Sequence, residues 1–323
     1  MLLIKKLITR GFPSLIILTL TNWYSKMFSV VKWCNTLSDK FQVLSGVRQG
    51  GVLSPYLFNV FVDDVLAVLE KSKKGCFFKQ ICVNSLMYAD DLLLISISVS
   101  DLRALVSMCV SNFNDIGMEI NISKSACLRI GKRHKVEISE ISINGCGLKW
   151  CQELNYLGVS IISGNKFNVN FQNLRHKFFR ATNAIFGRIG TKASPTLLCS
   201  LIDHCCLPIL LYATECFLWN SSMFKSMDYT YNQAFSKIFK TNDTKIIKRC
   251  QFHMGCLPME LRIVSKKCNF LNENRNSSNL LMLSASQDDP DLKEILIKYN
   301  LNSYAKNSLT LTLWKHFEHN LDD

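Results

Sequence analysis

Apolar residues recur at helical spacing in several stretches of the chain. The spacing predicts a helix over residues 13–27, opened by a proline and a serine, and another over 100–117. A further helix is predicted between these two, with Ser54 as its N-cap and Pro55 as its first residue. Its apolar side chains form two adjacent rows: Leu57, Phe61 and Val65, then Phe58, Val62, Leu66 and Leu69.

Apolar runs outside these helices predict strands. Residues 29–33 and 40–44 are expected to pair as a hairpin. Residues 85–96, "SLMYADDLLLIS", predict a strand, a tight turn and a second strand, with apolar side chains on both faces, as in a covered sheet. The Asn144–Gly145 pair indicates another hairpin turn.

From residue 54 onwards the predicted order is helix, strand, strand, helix, strand. This is a split β-α-β-β-α-β unit without its first strand, so we expect an α+β fold. Beyond Lys166 the pattern becomes helical, with one apolar face formed by Leu174, Phe178, Ala181 and Ile185 and a further helix start at Ser194 and Pro195. We expect three regions: an α+β domain over 1–165, a helical domain over 166–270, and a linker ("NENRNSSN") and weakly helical tail over 271–323.

The composition narrows the class of partner. The chain has 323 residues, of which 48% are hydrophobic and 20% charged, which is typical of a folded protein. Its formal net charge of +13 favours a polyanionic partner, either nucleic acid or an anionic membrane face. We predict no membrane span, because the apolar run over residues 15–20 is far shorter than the ~20 residues that a span needs.

Fourteen cysteines lie mostly inside apolar patterns, as Cys109, Cys199, Cys205 and Cys216 do. They are expected to be small buried apolar side chains in a reducing, intracellular compartment. A second group consists of Cys250, His253, Cys256 and Cys268. The spacing of these residues suggests a zinc site, but the apolar residues around them favour simple packing in a core.

Asp90 and Asp91 are the first candidates for chemistry. A hairpin turn lifts two carboxylates to the rim of the apolar core, where a cation relieves their repulsion. Mg²⁺ suits this arrangement because it takes hard oxygen ligands, including one or two carboxylates and substrate phosphates. The alternative is a solvent-exposed turn. A second pair, Asp63 and Asp64, lies on a polar helix stripe, and a solvated helix face explains it.

"GVRQGGVLSPYLFN", residues 46–59, is the second candidate. Its glycines permit close approach of the backbone to a ligand, and the following helix start favours anions. A phosphate-binding loop and a simple loop-to-helix junction both fit this pattern.

Four segments in this order resemble successive motifs of the reverse transcriptases of non-LTR (LINE-type) retrotransposons: "GVRQGGVLSPYLFN", "YADDLLL", "GMEINISKSACL" and "LNYLGVSI". The resemblance is firm over residues 2–165 and looser to about 265, where "LIDHCCLPILLYATECF" resembles the thumb of those polymerases. It implies a polymerase palm followed by a helical thumb, and two-metal transfer of nucleotides to a primer on an RNA template.

The resemblance also implies roles by position. Asp90 and Asp91 would bind the catalytic Mg²⁺ or Mn²⁺, and Lys124 would lie near the leaving pyrophosphate as a proton donor, the alternative for it being an exposed strand end. Contact with primer, template or incoming nucleotide is implied for Arg48, Gln49, Gly50, Tyr88, Ala89, Tyr156, Leu157 and Gly158. Contact with the duplex backbone is implied for Lys177, Arg180, Arg188 and Lys192, although a solvated face explains each alone.

In this family a further aspartate, on the first palm strand, completes the metal site, and that strand would precede Met1. We therefore expect a fragment of a polymerase that is inactive by itself, or one whose missing strand comes from another polypeptide. Two alternatives stay open: a non-catalytic nucleic-acid-binding module and a non-functional retroelement relic. A phosphodiesterase that uses Asp90 and Asp91 is a weaker alternative.

Overall fold

The computed structural model of the chain describes residues 2–44, 46–190, 193–287, 289–299 and 306–321. It mixes helices and strands, in agreement with the predicted α+β class. The chain divides into two compact units, the first containing residues up to Cys127 and Glu137–Lys149, the second Leu128–Val136 and the residues from Trp150 on. The functional boundaries at 165 and 270 stay a prediction.

Two helices open the first unit, α1 (Leu2–Thr9) and α2 (Ser14–Ser25). The start of α2 confirms the prediction from Pro13 and Ser14, whereas α1 lies outside the predicted helices. Leu7 of α1 and Leu20 of α2 pack with Leu57 of α3 (Ser54–Lys71) in a small apolar cluster.

Short antiparallel strands connect α2 to α3. Strand β1 (Phe28–Ser29) pairs with β4 (Phe41–Gln42), and between them β2 (Lys32–Trp33) pairs with β3 (Thr36–Leu37). The predicted hairpin is therefore confirmed in outline, with a second pair nested inside it.

Two hairpins separate α3 from α4 (Val99–Asp115), where one was predicted. The first joins β5 (Cys76–Phe78) to β6 (Ile81–Val83), and the second joins β7 (Ser85–Tyr88) to β8 (Asp91–Leu94). Ser98, rather than the predicted Ser100, caps the start of α4, because its side chain accepts a hydrogen bond from the amide of Asp101 at 3.0 Å.

The helices α3 and α4 form the main core of the first unit. Val62, Val65 and Leu69 pack against Leu105, Cys109 and Phe113. Helical spacing placed these residues on one face of each helix, and burial of those faces confirms the pattern.

Four short strands follow α4: β9 (Ala126–Leu128), β10 (Ser142–Ile143), β11 (Cys146–Gly147) and β12 (Lys149–Cys151). The turn between β10 and β11 confirms the Asn144–Gly145 prediction, since both residues have positive φ, 50° and 79°. Among the described residues of the first unit no sheet has more than two strands, so the split β-α-β-β-α-β unit itself stays a proposal.

The second unit begins with an antiparallel three-stranded sheet of β13 (Glu153–Tyr156), β14 (Val159–Ile162) and β15 (Asn168–Asn170). Helices follow in the order α5 (Gln172–Ile189), α6 (Pro195–Leu201), α7 (Leu207–Leu210), α8 (Ser221–Phe239), α9 (Thr244–His253) and α10 (Met259–Asn274), with a π-helical turn at Ile202–Cys206. Phe178 of α5 and Tyr231 and Phe235 of α8 lie at the centre of their core. The predicted apolar face of α5 and the cap of α6 by Ser194 are confirmed.

The last helices pack on α10. They are α11 (Leu280–Gln287), α12 (Pro290–Lys298) and α13 (Lys306–His319). Leu309, Leu313 and Phe317 of α13 are buried against α10. The predicted linker at 272–279 is wrong for its first three residues, because α10 continues to Asn274.

The prediction that the cysteines are buried is wrong at two of the four positions named for it. Cys109 and Cys199 are buried as expected, but Cys205 and Cys216 are exposed. Cys256 belongs to the core around Phe178, and Cys268 to the separate core beneath α13, which fits the packing interpretation of both. None of the described helices combines the length and the apolar character needed to cross a membrane.

The second aspartate pair is more than a solvated stripe. The side chains of Asp63 and Asp64 are each 61% exposed, yet both form ion pairs. Lys6 Nζ lies 2.7 Å from Asp64 Oδ2, and Arg10 Nη2 lies 3.0 Å from Asp63 Oδ2 and 3.1 Å from Asp64 Oδ1. These contacts join α1 to α3.

Candidate active site

The hairpin of β7 and β8 presents Asp90 and Asp91 at its tip. Tyr88 pairs with Asp91, and Met87 with Leu92. Directly paired residues share a face, and successive pairs alternate between faces. Tyr88 and Asp91 therefore lie on the face opposite to Met87 and Leu92.

One face of this hairpin is anchored to the helices. Met87, Leu92 and Leu94 pack against the core that α3 and α4 form. The opposite face carries Asp91 and Tyr88, which is 67% exposed. The prediction of a hairpin covered on both faces is therefore wrong for the described residues, and the uncovered face is the one that carries the aspartate.

The turn itself is backbone-strained. Ala89 has a φ of 50°, in the left-handed region that costs a residue with a Cβ about 1–2 kcal/mol. Asp90 follows at the tip, and both aspartates are exposed. This geometry holds two carboxylates clear of the apolar core.

Asn84 and Gly75 fix the base of the hairpin. Asn84 is buried, its Nδ2 donates to Leu69 O at the end of α3 at 2.6 Å, and its Oδ1 accepts from Ser85 Oγ at 3.1 Å. Gly75 has a φ of 112°, and a Cβ there would lie 2.5 Å from Asn84 Cβ. No sequence pattern indicated either residue, although a lone amide between apolar strands is a detectable feature.

Asp90 and Asp91 offer the hard oxygen ligands that Mg²⁺ prefers, and one or two carboxylates with substrate phosphates are its usual protein site. Within the described part of the chain they do not gather with a third His, Cys, Asp or Glu into a metal-binding group. The donor set thus fits part of a divalent-metal site.

The loop before α3 holds the second group of candidates. Arg48, Gln49 and Gly50 are exposed, and Gly50 has a φ of 76°. Arg48 O accepts from the amide of Gly51 at 3.1 Å and from Ser54 Oγ at 2.6 Å. Leu53 is the N-cap of α3 and Ser54 its first residue, which corrects the predicted role of Ser54 as N-cap. The Ser54 hydroxyl instead holds the preceding loop through Arg48 O.

Lys124 ends a single 3-10 turn, Ile122–Lys124. Its amide donates to Asn121 Oδ1 at 3.1 Å, and its side chain is exposed. Among the described contacts no hydrogen bond or ion pair joins Lys124, Arg48 or Gln49 to the two aspartates. The chain brings Tyr88, Ala89, Asp90 and Asp91 together in one turn, and the other candidates lie on separate segments.

Comparison with known proteins assigns the segment that contains these candidates to a protein family. Residues 2–161 match the reverse transcriptase (RNA-dependent DNA polymerase) family. This segment is a reverse transcriptase domain. The match spans the strained hairpin, the loop before α3 and Lys124.

The relatives are polymerases of non-LTR retrotransposons. A Pol polyprotein from a type-1 retrotransposable element R2 of Popillia japonica is 32% identical over 119 residues, covering 36% of this chain and 19% of that protein. The polyprotein from the type-2 element R2DM of Drosophila melanogaster is 28% identical over 158 residues, covering 46% and 15%. The RNA-directed DNA polymerase from the mobile element jockey of Drosophila funebris is 26% identical over 171 residues, covering 51% and 18%. The chain thus matches less than a fifth of the length of each of these relatives.

The remaining predicted contacts lie in or after the last strands of the reverse transcriptase domain. Tyr156, Leu157 and Gly158 belong to the hairpin of β13 and β14, in the second compact unit. Leu157 and Gly158 have φ of 47° and 80°, and Tyr212 OH donates to Leu157 O at 2.8 Å. A Cβ at Gly158 would touch the Tyr212 ring at 3.4 Å. Tyr212, which no sequence pattern indicated, thus holds this turn.

The helix α5 carries the predicted cations of the second unit. Lys177, Arg180 and Arg188 are exposed, as contact with a nucleic-acid backbone requires. Lys192 lies outside the described residues. The sequence of α5 contains no Asp or Glu and four Lys or Arg residues, so the helix carries a net positive charge.

Proposed function

We propose that this chain supplies the palm and thumb of an RNA-directed DNA polymerase of the non-LTR retrotransposon class. The reverse transcriptase domain would be the palm, and the helices from α5 onwards the thumb. The observation that carries the proposal is the position of Asp90 and Asp91 at a strained, exposed turn inside the segment that matches the reverse transcriptase family.

Asp90 and Asp91 are proposed to bind Mg²⁺ or Mn²⁺ together with the phosphates of the incoming nucleotide. The bound ions would stabilise the charge that develops as a primer 3′-hydroxyl attacks the nucleotide α-phosphate. The hairpin supports this role, because its core face fixes it on α3 and α4 while its exposed face leaves Asp91 accessible. The family resemblance adds a carboxylate from another strand.

The other candidate residues are proposed to contact the template, the primer or the incoming nucleotide. Arg48, Gln49 and Gly50 would contact the template base and the incoming nucleotide from an exposed glycine-containing loop. Lys124 is proposed to donate a proton to the leaving pyrophosphate, and Tyr88 and Ala89 to lie beneath the primer end. Tyr156, Leu157 and Gly158 would hold the primer strand, with their turn fixed by Tyr212.

The basic character of the chain supports a nucleic-acid partner. With a net charge of +13, and with Lys177, Arg180 and Arg188 exposed on one helix, binding would be driven by release of counterions from phosphates. Affinity should then fall steeply as salt increases.

Binding of Mn²⁺ to the chain with a primed RNA template and a deoxynucleoside triphosphate tests the metal site. Electron paramagnetic resonance counts the bound ion. Asp90→Asn should weaken this binding roughly tenfold or more, since even outer-shell changes cost metal sites 10–100-fold. Asp63→Asn is the matched control, because it removes a similarly exposed carboxylate of the other aspartate pair. The assignment would be refuted if both variants lost Mn²⁺ affinity equally, or if neither variant lost any.

A non-catalytic nucleic-acid-binding module is the second candidate, and the absence of a third metal-binding residue beside Asp90 and Asp91 among the described residues favours it. Primer extension on an RNA template separates the two. Incorporation that disappears in Asp90→Asn supports the polymerase. Salt-sensitive binding of the template by a folded chain, without Asp90-dependent Mn²⁺ binding or incorporation, supports the module.

A further inference from the structure

A cavity of about 320 Å³ lies between α5 and α8 in the second unit. Its walls combine two aromatic rings, two cations and an amide: Phe179, Tyr229, Arg175, Lys237 and Gln233. Ligand pockets usually measure about 300–1,000 Å³, so the cavity is of a size for one small group and not for a duplex.

Both cations are held in place by neutral partners. Arg175 Nε donates to Thr230 Oγ1 at 2.8 Å, and Lys237 Nζ donates to Asn183 Oδ1 at 2.8 Å. A guanidinium has five N–H donors and an ammonium three, so one such bond fixes each group and leaves donors for a ligand. These partners do not neutralise the charges.

The surrounding helices reinforce the positive charge. The sequence of α5 contains no Asp or Glu, and that of α8 contains only Asp228. Asp228 Oδ1 accepts from the amide of Met259 at the start of α10, at 2.9 Å, and Asp228 does not line this cavity. The cavity therefore favours an anionic ligand.

Two aromatic rings line the cavity together with these cations. Tyr229 is 59% exposed, and the half-buried Phe179 is supported edge-to-face by Phe178 at 5.9 Å between ring centroids. Because every nucleobase has a π-face, an aromatic ring beside cations is the common arrangement for binding unpaired nucleotides without sequence preference.

We propose that this cavity binds one unpaired nucleotide of a nucleic-acid strand. Its base lies against Tyr229 and Phe179, its phosphate near Arg175 and Lys237, and the Gln233 amide is in position to contact the edge of the base. The proposal rests on the proposed function, since it takes nucleic acid as the partner, and it adds a site for single-stranded template or primer outside the catalytic turn.

The test uses the full chain and two probes: a short unstructured oligonucleotide that contains 2-aminopurine, and a blunt RNA–DNA duplex of the same length. Tyr229→Ala should weaken binding of the single strand roughly tenfold, as loss of one stacked base does, and change binding of the duplex less than about twofold. Tyr229→Phe keeps the ring and should bind like the parent chain. Binding should quench 2-aminopurine in the parent and in Tyr229→Phe, but not in Tyr229→Ala.

Cation variants provide the matched control. Lys237→Ala should lower the slope of log affinity against log salt by roughly 0.7 for the single strand, the value for one phosphate contact. Lys225→Ala removes an exposed lysine of the same helix that does not line the cavity, and should leave the 2-aminopurine quenching unchanged. Adenosine monophosphate as competitor separates a free nucleotide from a nucleotide within a strand.

Three results would overturn the proposal. The first is that Tyr229→Ala binds the single strand as tightly as the parent chain does. The second is that Tyr229→Ala, shown to be folded by circular dichroism, loses affinity for the single strand and for the duplex equally. The third is that adenosine monophosphate displaces the bound oligonucleotide fully at a concentration no higher than that of the oligonucleotide. A chain that binds neither probe refutes the proposed function as well. If Mn²⁺ binding depends on Asp90 while Tyr229→Ala binds the single strand as the parent chain does, only the proposed nucleotide site is refuted.

Discussion

Ala89, in the turn that carries Asp90 and Asp91, has a strained backbone conformation. Its φ of 50° costs a side chain with a Cβ about 1–2 kcal/mol, while glycine adopts this conformation freely and loses about 0.5–1 kcal/mol in chain entropy. Ala89→Gly should therefore raise the free energy of unfolding by up to about 1 kcal/mol in urea denaturation. Ala104→Gly, inside α4, is the control and should lower it by about 0.5–1 kcal/mol. Destabilisation by both variants would show that Ala89 is unstrained.

Asn84 connects the base of the same hairpin to α3. Its buried amide donates to Leu69 O, and its Oδ1 accepts from Ser85 Oγ. Asn84→Ala removes both bonds from a buried site and should cost about 1–3 kcal/mol in denaturant unfolding. Asn112→Ala, which loses a single bond to Met108 O within α4, should cost less. Equal costs would mean that the hairpin does not depend on this anchor.

The ion pairs between α1 and α3 connect elements that are distant in sequence. The hydrogen bond from Lys6 is the main cause that holds the pKa of Asp64 below its ordinary value, and Arg10 adds to it. A lowered folded-state pKa stabilises the fold above the ordinary pKa of about 4, and this contribution disappears as pH falls through the folded-state value. Because Asp64 is largely exposed, the contribution is roughly 0.2–1 kcal/mol.

Asp64→Asn should therefore reduce stability at neutral pH by roughly 0.2–1 kcal/mol, and by less as pH falls toward 2. Thermal unfolding at the two pH values measures this difference. Asp39→Asn, at an exposed carboxylate of the same unit, should show no such pH-dependent cost. A larger effect of Asp64→Asn in acid than at neutral pH would contradict the ion-pair account.

Local chemistry explains which elements could be predicted from the sequence. Ser194 and the Asn144–Gly145 pair act on the backbone within a few residues of themselves, so the α6 start and the β10–β11 turn were predicted correctly. The apolar rows of α3 and α4 likewise predicted their buried faces. The burial of α13 depends on contacts between distant segments, which periodicity does not report. The extra hairpin β5–β6 is local, but its turn residues, Lys79 and Gln80, are not the Asn-Gly or Asp-Gly pair that signals a hairpin in a sequence.

The same distinction applies to the candidate site. The turn with Asp90 and Asp91 is local, and its position followed from two apolar runs that flank two carboxylates. Asn84 and Tyr212 act through partners 15 and 55 residues away, so no spacing rule identified them. Four motifs in order predicted the family, and the match over residues 2–161 confirmed it.

Stability of the second unit should depend on pH through Asp228. Burial, and secondarily the nearby Glu260 carboxylate, raise its pKa to about 6, and Lys248 partly opposes this. Between about pH 4 and pH 6 the folded protein keeps a proton that the unfolded chain has lost. The free energy of unfolding should therefore fall as pH rises through this window, by up to about 3 kcal/mol at about 1.4 kcal/mol for each pKa unit.

Asp228→Asn isolates this effect, because the amide oxygen can still accept the hydrogen bond from Met259 N that caps α10. The variant should be more stable than the parent at neutral pH and lose the downward slope between about pH 4 and pH 6. Urea denaturation across that range measures both. Asp243→Asn is the control, since it changes the exposed cap of α9 and should leave the slope unchanged. The opposite result would be a parent chain whose free energy of unfolding rises between about pH 4 and pH 6. It would show that Asp228 is readily ionised in the folded protein, because Lys248 and the backbone amides that donate to its carboxylate compensate for its burial.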